Sequence, residues 1–298
     1  MNTNIKPCFI CGGTHFTKFT NQYNQCTNCG HETLDSYCEQ GFILNDPLTL
    51  EDAKRTTGLD AFKSRVLMQF NSPSDMNILF DIGSASGKFL FLNQNKYRHA
   101  IGLEITPEAL EFSRNTLHLN IEENIEDVPT GITTVTAWHS LEHIPDDALI
   151  NIIKTVSKKM SADSRMIVSV PNGASRQYKW FRSAFAYFDT PNHLHQFTES
   201  SLTILMSKCG LEPVAFIDSW PYNTFGYIQG LLNITTRTHN YLYYRLKRRS
   251  LKPSMALDVL HLFILPLLAP VGWFLAILDL FDRKKQGVIT ACFKVKYT

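Results

Sequence analysis

Five short, largely apolar runs, the fourth of them rich in β-branched residues, lie between residues 77 and 172, separated by loops or helix-like stretches. They are "NILF" (77–80), "HAIGLEI" (99–105), "LHLNI" (117–121), "ITTVTAW" (132–138) and "SRMIVSVPN" (164–172). Apolar runs of this length suit strands buried on both faces, and strands that alternate with helices leave few ways to fold. The expectation is an α/β, doubly wound, parallel sheet of the Rossmann-like kind, with its ligand at the carboxyl ends of the strands. "EPVAFIDSW" (212–220) and "GVITACFKVKY" (287–297) read as a sixth and a seventh strand.

The first run ends in "FDIGSASGKFLFL" (80–92), an acid followed by small residues and then an apolar helical pattern. Two nucleotide loops compete for this text. A P-loop needs four residues between its glycines and Ser or Thr after the lysine; here three separate Gly83 from Gly87, and Phe89 follows Lys88. A dinucleotide fingerprint needs a third glycine where Lys88 stands. Neither fits, yet small residues still let a ligand lie against the backbone where a helix begins. The second run ends at Glu104, where a carboxylate is placed to accept hydrogen bonds from ribose hydroxyls. Thr106 and Pro107 then read as the cap and first residue of a helix.

The first forty residues carry two C-x2-C pairs, Cys8 with Cys11 and Cys26 with Cys29, each followed by a glycine. Two such knuckles supply four thiolates at tetrahedral corners, so the segment reads as a ribbon around a structural Zn2+ with no open position. So short a segment has little core, and the metal would supply most of its folding energy. A redox pair is the competing reading, but it belongs beside a βαβ unit, and none is near. Cys38, Cys209 and Cys292 stand alone and read as packing residues. "LEDAKRTTGLDAFKSRVLMQF" (50–70) reads as one or two helices leading from the ribbon to the sheet.

A net charge of +2 gives no general attraction to nucleic acid. The start, "MNTNIKPCFI", lacks the apolar core of a secretory signal, and seven cysteines, an odd number, argue against a disulfide framework. The expected location is the cytoplasm. Residues 221–286 form an insertion before the last strand, aromatic, then basic (Arg245, Lys247, Arg248, Arg249, Lys252), then strongly apolar, then basic again (Arg283, Lys284, Lys285). Leaving large apolar side chains in water forfeits roughly 1.5–3 kcal/mol apiece, so this run must be covered. Pro266 and Pro270 are expected to split it into a bent helical pair. Its cover is either a membrane interface, peripheral at the inner face, or its own domain or a dimer partner as a lid; a spanning helix, which length alone would allow, is opposed by a last strand that belongs to the same sheet.

"DIGSASG", "GLEITPEAL", "WHSLEHIPD", "IVSVPN" and "HLHQFTESSLTILMSKCGLEPV" together resemble the class I S-adenosylmethionine-dependent methyltransferases, in particular the small-molecule, sugar and quinone subgroup. Some sugar C-methyltransferases of that kind also begin with a two-knuckle zinc segment. The resemblance spans about residues 76–220 and the terminal strand. Ala85 departs from the usual glycine by one methyl group, and the long C-terminal domain of the sugar enzymes has no counterpart, so their substrate is not carried over. By the resemblance, Asp81, Gly83, Ala85 and Gly87 face the methionine part of S-adenosylmethionine, Glu104 holds its ribose, and Asn124 and Ile125 lie along its adenine. The Glu-His pair after the fourth strand lines the active site in such enzymes, which makes His143 the first candidate base, His195 the second, and Glu142 the group that orients them. His139 and His193 lie in the same two segments. Some quinone O-methyltransferases place a cation here, a lesser alternative for this cluster.

These readings give a zinc ribbon (1–38), a helical linker (39–75), a cofactor-binding core (76–220), the insertion (221–286) and a terminal strand (287–298). The expected function is methyl transfer to a small or lipid-linked acceptor of sugar or prenyl/quinone type, with His-assisted deprotonation. Two rivals are an RNA methyltransferase gripping RNA through the ribbon, disfavoured by the low charge, and an inactive cofactor-binding or membrane-associated scaffold.

Overall fold

Each apolar run takes its place in one mixed sheet because its neighbours in sequence wrap both faces of it. The computed structural model describes residues 6–18, 22–35, 48–70, 77–247 and 254–296. In chain order come β1 (Phe16–Lys18), β2 (Tyr23–Cys26), β3 (Glu32–Leu34), α1 (Leu50–Lys54), α2 (Gly58–Phe70), β4 (Ile78–Ile82), α3 (Lys88–Asn93), β5 (His99–Leu103), α4 (Pro107–Glu111), β6 (Asn120–Glu122) and β7 (Ile132–Trp138). They are followed by α5 (Asp146–Lys159), β8 (Met160–Pro171), α6 (Arg176–Phe181), β9 (His195–Gln196), α7 (Glu199–Lys208), β10 (Leu211–Ile217), α8 (Trp220–Thr236), α9 (Tyr241–Leu246), α10 (Met255–Leu278) and β11 (Val288–Val295). Cys38 lies outside the described residues.

The large sheet runs β10-β11-β8-β7-β4-β5-β6. Strands β4 to β8 pair in parallel, whereas β11 is antiparallel to both β8 and β10. The expectation of an all-parallel sheet therefore fails at the last strand, which enters from the opposite end between β8 and β10. Side chains alternate between two cores, as the period of a strand requires. Met166, Val168 and Val170 of β8 join one apolar cluster with Phe80 and Ile289, while Ile167 joins Leu79, Val288 and Cys292 on the other. Cys209 and Cys292 are buried, in keeping with packing roles.

Local signals set the helix ends. Helix α5 carries Asp146 and Asp147 in its first turn and Lys158 and Lys159 in its last, both favourable to the helix dipole, and buries Leu149, Ile153 and Val156 along one stripe. The stretch before the sheet breaks into α1 and α2, and Asp60 takes the Thr57 N–H and hydroxyl at the second start. Pro107 opens α4 as expected, but the Thr106 hydroxyl donates to Glu104 instead of capping the helix.

Two expectations change. The cysteine-bearing segment, expected as a ribbon over 1–38, shares a sheet with the core: its strands form β1-β2-β3-β9, in which Glu32 and Thr33 pair with Gln196 and His195. The Cys29 carbonyl accepts from Thr198, and Tyr178 donates to the buried Glu32 at 2.6 Å. The second change concerns α10, one continuous helix through Pro266 and Pro270. Both prolines are exposed, so their rings stand on the open side and the packed side of the helix continues unbroken.

Candidate active site

The chain runs outward from β4 through β5 to β6, then returns to the other flank of β4 as β7. The strand order thus reverses beside β4, where open α/β sheets present a crevice at their carboxyl edge. Residues 83–87 and 139–143 rim it. The Ser140 hydroxyl donates to the Ile82 carbonyl at 2.7 Å and ties the two loops together. Gly83 and Gly87 hold left-handed backbone, at φ +68° and +75°. A Cβ on Gly83 would lie 2.5 Å from Ser140 Cβ, and one on Gly87 2.6 Å from Leu119 Cδ1. Protein neighbours therefore demand the bareness that the sequence suggested was meant for a ligand. Gly83 and Ala85 are the half-buried members of the loop, and Ala85 also sits at positive φ.

Glu104 fixes this loop. Its Oε1 accepts from the Ile105 and Thr106 N–H groups at 2.9 Å and from the Thr106 hydroxyl at 2.7 Å, while Oε2 accepts from the Ala85 N–H at 2.8 Å. Oε1 is saturated by protein donors; Oε2, with one donor, retains capacity for a ligand hydroxyl. Asp81, buried at the end of β4, accepts from Thr136 at 2.6 Å. Burial pushes its carboxyl up to about 7, against the Thr136 bond and nearby Lys63, which pull it down.

The second half of the site gathers around Glu142, fully buried in the short turn after β7. Its Oε1 lies 3.3 Å from His139 Nδ1 and 4.0 Å from His193 Nε2. Burial pushes Glu142 up, but contact with His139 and the fields of His139, His143 and His193 outweigh it and hold the carboxyl at about 2. His143 Nδ1 lies 2.9 Å from the Asn192 carbonyl; only a protonated Nδ1 can bond there, which leaves the lone pair of the neutral ring on Nε2. His193, packed edge-on against His143 at 4.6 Å, is pushed down to about 4 by burial and then by His143. His139 has left-handed backbone and lies between Tyr187, stacked at 5.7 Å, and Tyr222 at 4.9 Å. Burial holds both phenols well above their ordinary range. Ligand atoms of Glu142, His143 and His193 lie within 4.8 Å of one another, a set able to hold a divalent cation.

His195 requires correction. It is fully buried, with Nδ1 3.3 Å from His31 Nε2 and Nε2 2.9 Å from the Ile144 carbonyl. Both ring nitrogens face protein, and its place is the seam between ribbon and core, so it reaches no acceptor. His193, two residues earlier, occupies the site instead. Asn124 is exposed beyond the end of β6, at the same sheet edge as Glu104, whereas Ile125 is buried in the core with Val128 and Ile132. Tyr187 and Tyr222 were not legible as site residues: each stands in an ordinary aromatic stretch, Tyr222 reaching His139 from the start of α8 and Tyr187 from the segment after α6, where its hydroxyl donates to the Tyr222 carbonyl at 2.6 Å.

The four knuckle cysteines converge as their spacing suggested. Cys8 Sγ lies 3.8 Å from Cys29 Sγ, and Cys11 Sγ 3.5 Å from Cys26 Sγ. Four sulfurs at about 2.3 Å from a tetrahedral zinc stand about 3.8 Å apart, so the set fits that ion.

A family model described as a methyltransferase domain matches residues 52–215. Comparison with curated proteins gave no match. Among solved structures, a cyclopropane synthase from Mycobacterium tuberculosis is similar over 84% of this chain and 86% of its own, at 12% identity and a TM-score of 0.51. A S-adenosylmethionine-dependent methyltransferase from Clostridium acetobutylicum aligns over 83% of this chain and 95% of its own, at 11% identity and a TM-score of 0.48. At such identity the likeness to the synthase is one of fold.

Replacing Glu104 by alanine leaves four donors without their acceptor. The expected loss of folding free energy is about 2–3 kcal/mol, read as a lowered urea midpoint at unchanged slope. A midpoint equal to that of the unaltered chain would show that the carboxylate does not anchor the loop.

Proposed function

The chain belongs to the methyltransferase-domain family, and from that premise we propose that it moves the methyl group of S-adenosylmethionine onto a small or lipid-linked acceptor of sugar or prenyl/quinone type. One observation carries the reading. Beside the crevice lies a group of buried polar atoms with no hydrogen-bond partner among the described residues: Glu142 Oε2, His139 Nε2, His193 Nδ1, Trp138 Nε1 and the Tyr222 hydroxyl. Folded proteins seldom leave so many polar atoms unmatched in one place, and a polar ligand would complete them.

The cradle suits the cofactor. Glu104 Oε2 keeps acceptor capacity toward ribose hydroxyls, and Asp81 offers a buried carboxyl whose ionised form a nearby positive charge would favour. When bound, the cofactor supplies a methyl group on a sulfonium that leaves as a neutral thioether. His143 Nε2 takes the proton of the acceptor's hydroxyl, amine or acidic carbon, because Nδ1 is held by the Asn192 carbonyl. Glu142, anionic throughout the physiological range, offsets the imidazolium that results. Tyr187 and Tyr222 wall the site with aromatic surface, which suits an apolar or ring-shaped acceptor and keeps water away. The four thiols are assigned to one structural zinc ion, whose ribbon holds the His193 loop through Tyr23: its hydroxyl donates to the His193 carbonyl at 2.6 Å.

Three outcomes are expected. Incubated with methyl-labelled cofactor and a cell extract, the His143→Gln variant should transfer label about a hundredfold more slowly, while calorimetry finds its cofactor affinity unchanged; full transfer would remove His143 as the base. Cofactor affinity should depend on pH through Asp81. Below pH about 7 the free carboxyl is protonated, so binding a cation beside it must expel the proton. Affinity then falls as the pH drops, approaching about tenfold per unit, and levels above 7. Asp81→Asn should flatten that profile, and an equally steep profile in the variant would exclude Asp81 as the source. Elemental analysis should find one zinc per chain, and its chelation should lower the melting temperature and the transfer rate together. Metal-free protein that melts like the native chain would refute the zinc assignment.

A further inference from the structure

Helix α10 holds one face of large apolar side chains open to solvent. Positions 262, 263, 266, 267, 270, 273 and 274 recur at helical spacing on that face, and Leu262, Phe263, Leu267, Trp273 and Phe274 are each more than half exposed. Phe281, just beyond the helix, is 86% exposed. The opposite face is the packed one: His261, Gly272 and Ala276 are buried, and a Cβ on Gly272 would lie 2.9 Å from the Ile228 backbone of α8. In the most apolar stretch only 17% of residues are buried inside protein. A strip so wide and so apolar marks a surface that something covers.

By length alone, about 36 Å, the helix could cross a bilayer. Its ends forbid that. At the start, Asp258 is held by Tyr241 at 2.8 Å and by Arg245 at 2.8 Å. Just past the end, the buried Asp279 takes Arg176 and Tyr227, both at 2.8 Å. The chain then enters the middle of the sheet as β11. Both ends are bound to the same folded body, so the helix lies lengthwise on it.

Two observations choose between a lipid surface and a second protein. The exposed strip offers a single hydrogen-bonding side chain, the Trp273 indole, whereas protein interfaces of useful size carry a hydrogen bond for every 100–200 Å² or so. In the sequence, cations flank it at both ends: Lys247 before it, with Arg248, Arg249 and Lys252 between, and Lys284 and Lys285 after it, Lys285 lying 4.0 Å from Asp282, while Arg245 and Arg283 are paired with Asp258 and Glu199. An apolar centre with aromatic residues and basic flanks is the pattern that settles in the headgroup region of an anionic bilayer. We infer that α10 is a monotopic dock, seating the chain on an anionic lipid surface without crossing it. The packed side of α10 rests on α8, the helix that also carries Tyr222 to His139. Docking would thus set the candidate site close to the membrane, whatever group the site transfers.

The test is flotation of the full chain with vesicles of phosphatidylcholine alone and of phosphatidylcholine mixed with phosphatidylglycerol. The chain should float with the anionic vesicles, less with the neutral ones, and be released by alkaline carbonate. Phe263→Glu, Leu267→Glu and Phe274→Glu together should lower the bound fraction by about tenfold or more while the melting curve holds. Lys284→Glu with Lys285→Glu, which leaves the apolar strip intact, should remove the preference for anionic vesicles. A chain that floats with neither vesicle overturns the proposal. Resistance to carbonate would mean that it spans, and a dimer that the glutamate variants split, with flotation unaffected, would mean that a second copy covers the strip.

Discussion

Glu104 is the fixed point from which the site is built. One carboxylate at the tip of β5 takes the first N–H groups leading into α4 and, with its other oxygen, the Ala85 N–H of the loop after β4. Two adjacent strand ends are thereby locked at one separation. The next contact carries the constraint onward, because Gly83 can lie against Ser140 only while it lacks a side chain. Ser140 in turn begins the turn that buries Glu142. A glycine-bearing loop and a cluster of one carboxylate and three histidines from distant parts of the chain thus share a single edge, the kind of fixed placement that group-transfer chemistry requires of its positioning groups.

Burying Glu142 as an anion is expensive unless positive or polarisable groups surround it. His139 does so first, through its contact with Glu142, and the rings of His143 and His193 complete the polar surroundings that hold the carboxyl low despite complete burial. The histidines themselves come from two segments. His139 and His143 follow β7, whereas His193 arrives on the loop before β9. That loop is held from outside by the cysteine-bearing segment, through Tyr23 and the pairing of β3 with β9. The ribbon is therefore part of the scaffold of the site and not a detached module. His31 and His195 fill the seam between them, and burial lowers both, so neither brings charge into it.

Much of this was legible from local rules. Apolar runs alternating with helices fix an α/β sheet with a crevice at the strand ends, since a strand buried on both faces needs helices on each. Cysteine spacing fixes the four-thiol cluster because two knuckles have few ways to close. Asp81 and Glu104 announce themselves by position, as acids that end adjacent strands. Glu142 and His143 were singled out by the family resemblance, and they lie where a buried strand gives way to polar residues.

What sequence could not decide was the destination of side chains whose partners lie far along the chain. His193 and His195 are near-equivalents in the text, yet pairing of His195 with Thr33 turns it into the ribbon seam and leaves His193 to the site. Tyr187 and Tyr222 meet His139 from two separate segments, the stretch after α6 and the start of α8, joined by the Tyr187 hydroxyl on the Tyr222 carbonyl. Pro266 and Pro270 looked like breaks, but both fall on the open face of α10, where a lost helical bond disturbs no packing. Composition and periodicity determine which elements form and which of their faces are apolar; only the tertiary fold settles which residues, a hundred or more positions apart, finally touch. The reason is physical: the local signals act within a few residues, whereas the burial that orients a ring or a carboxylate is decided by whichever distant element covers it.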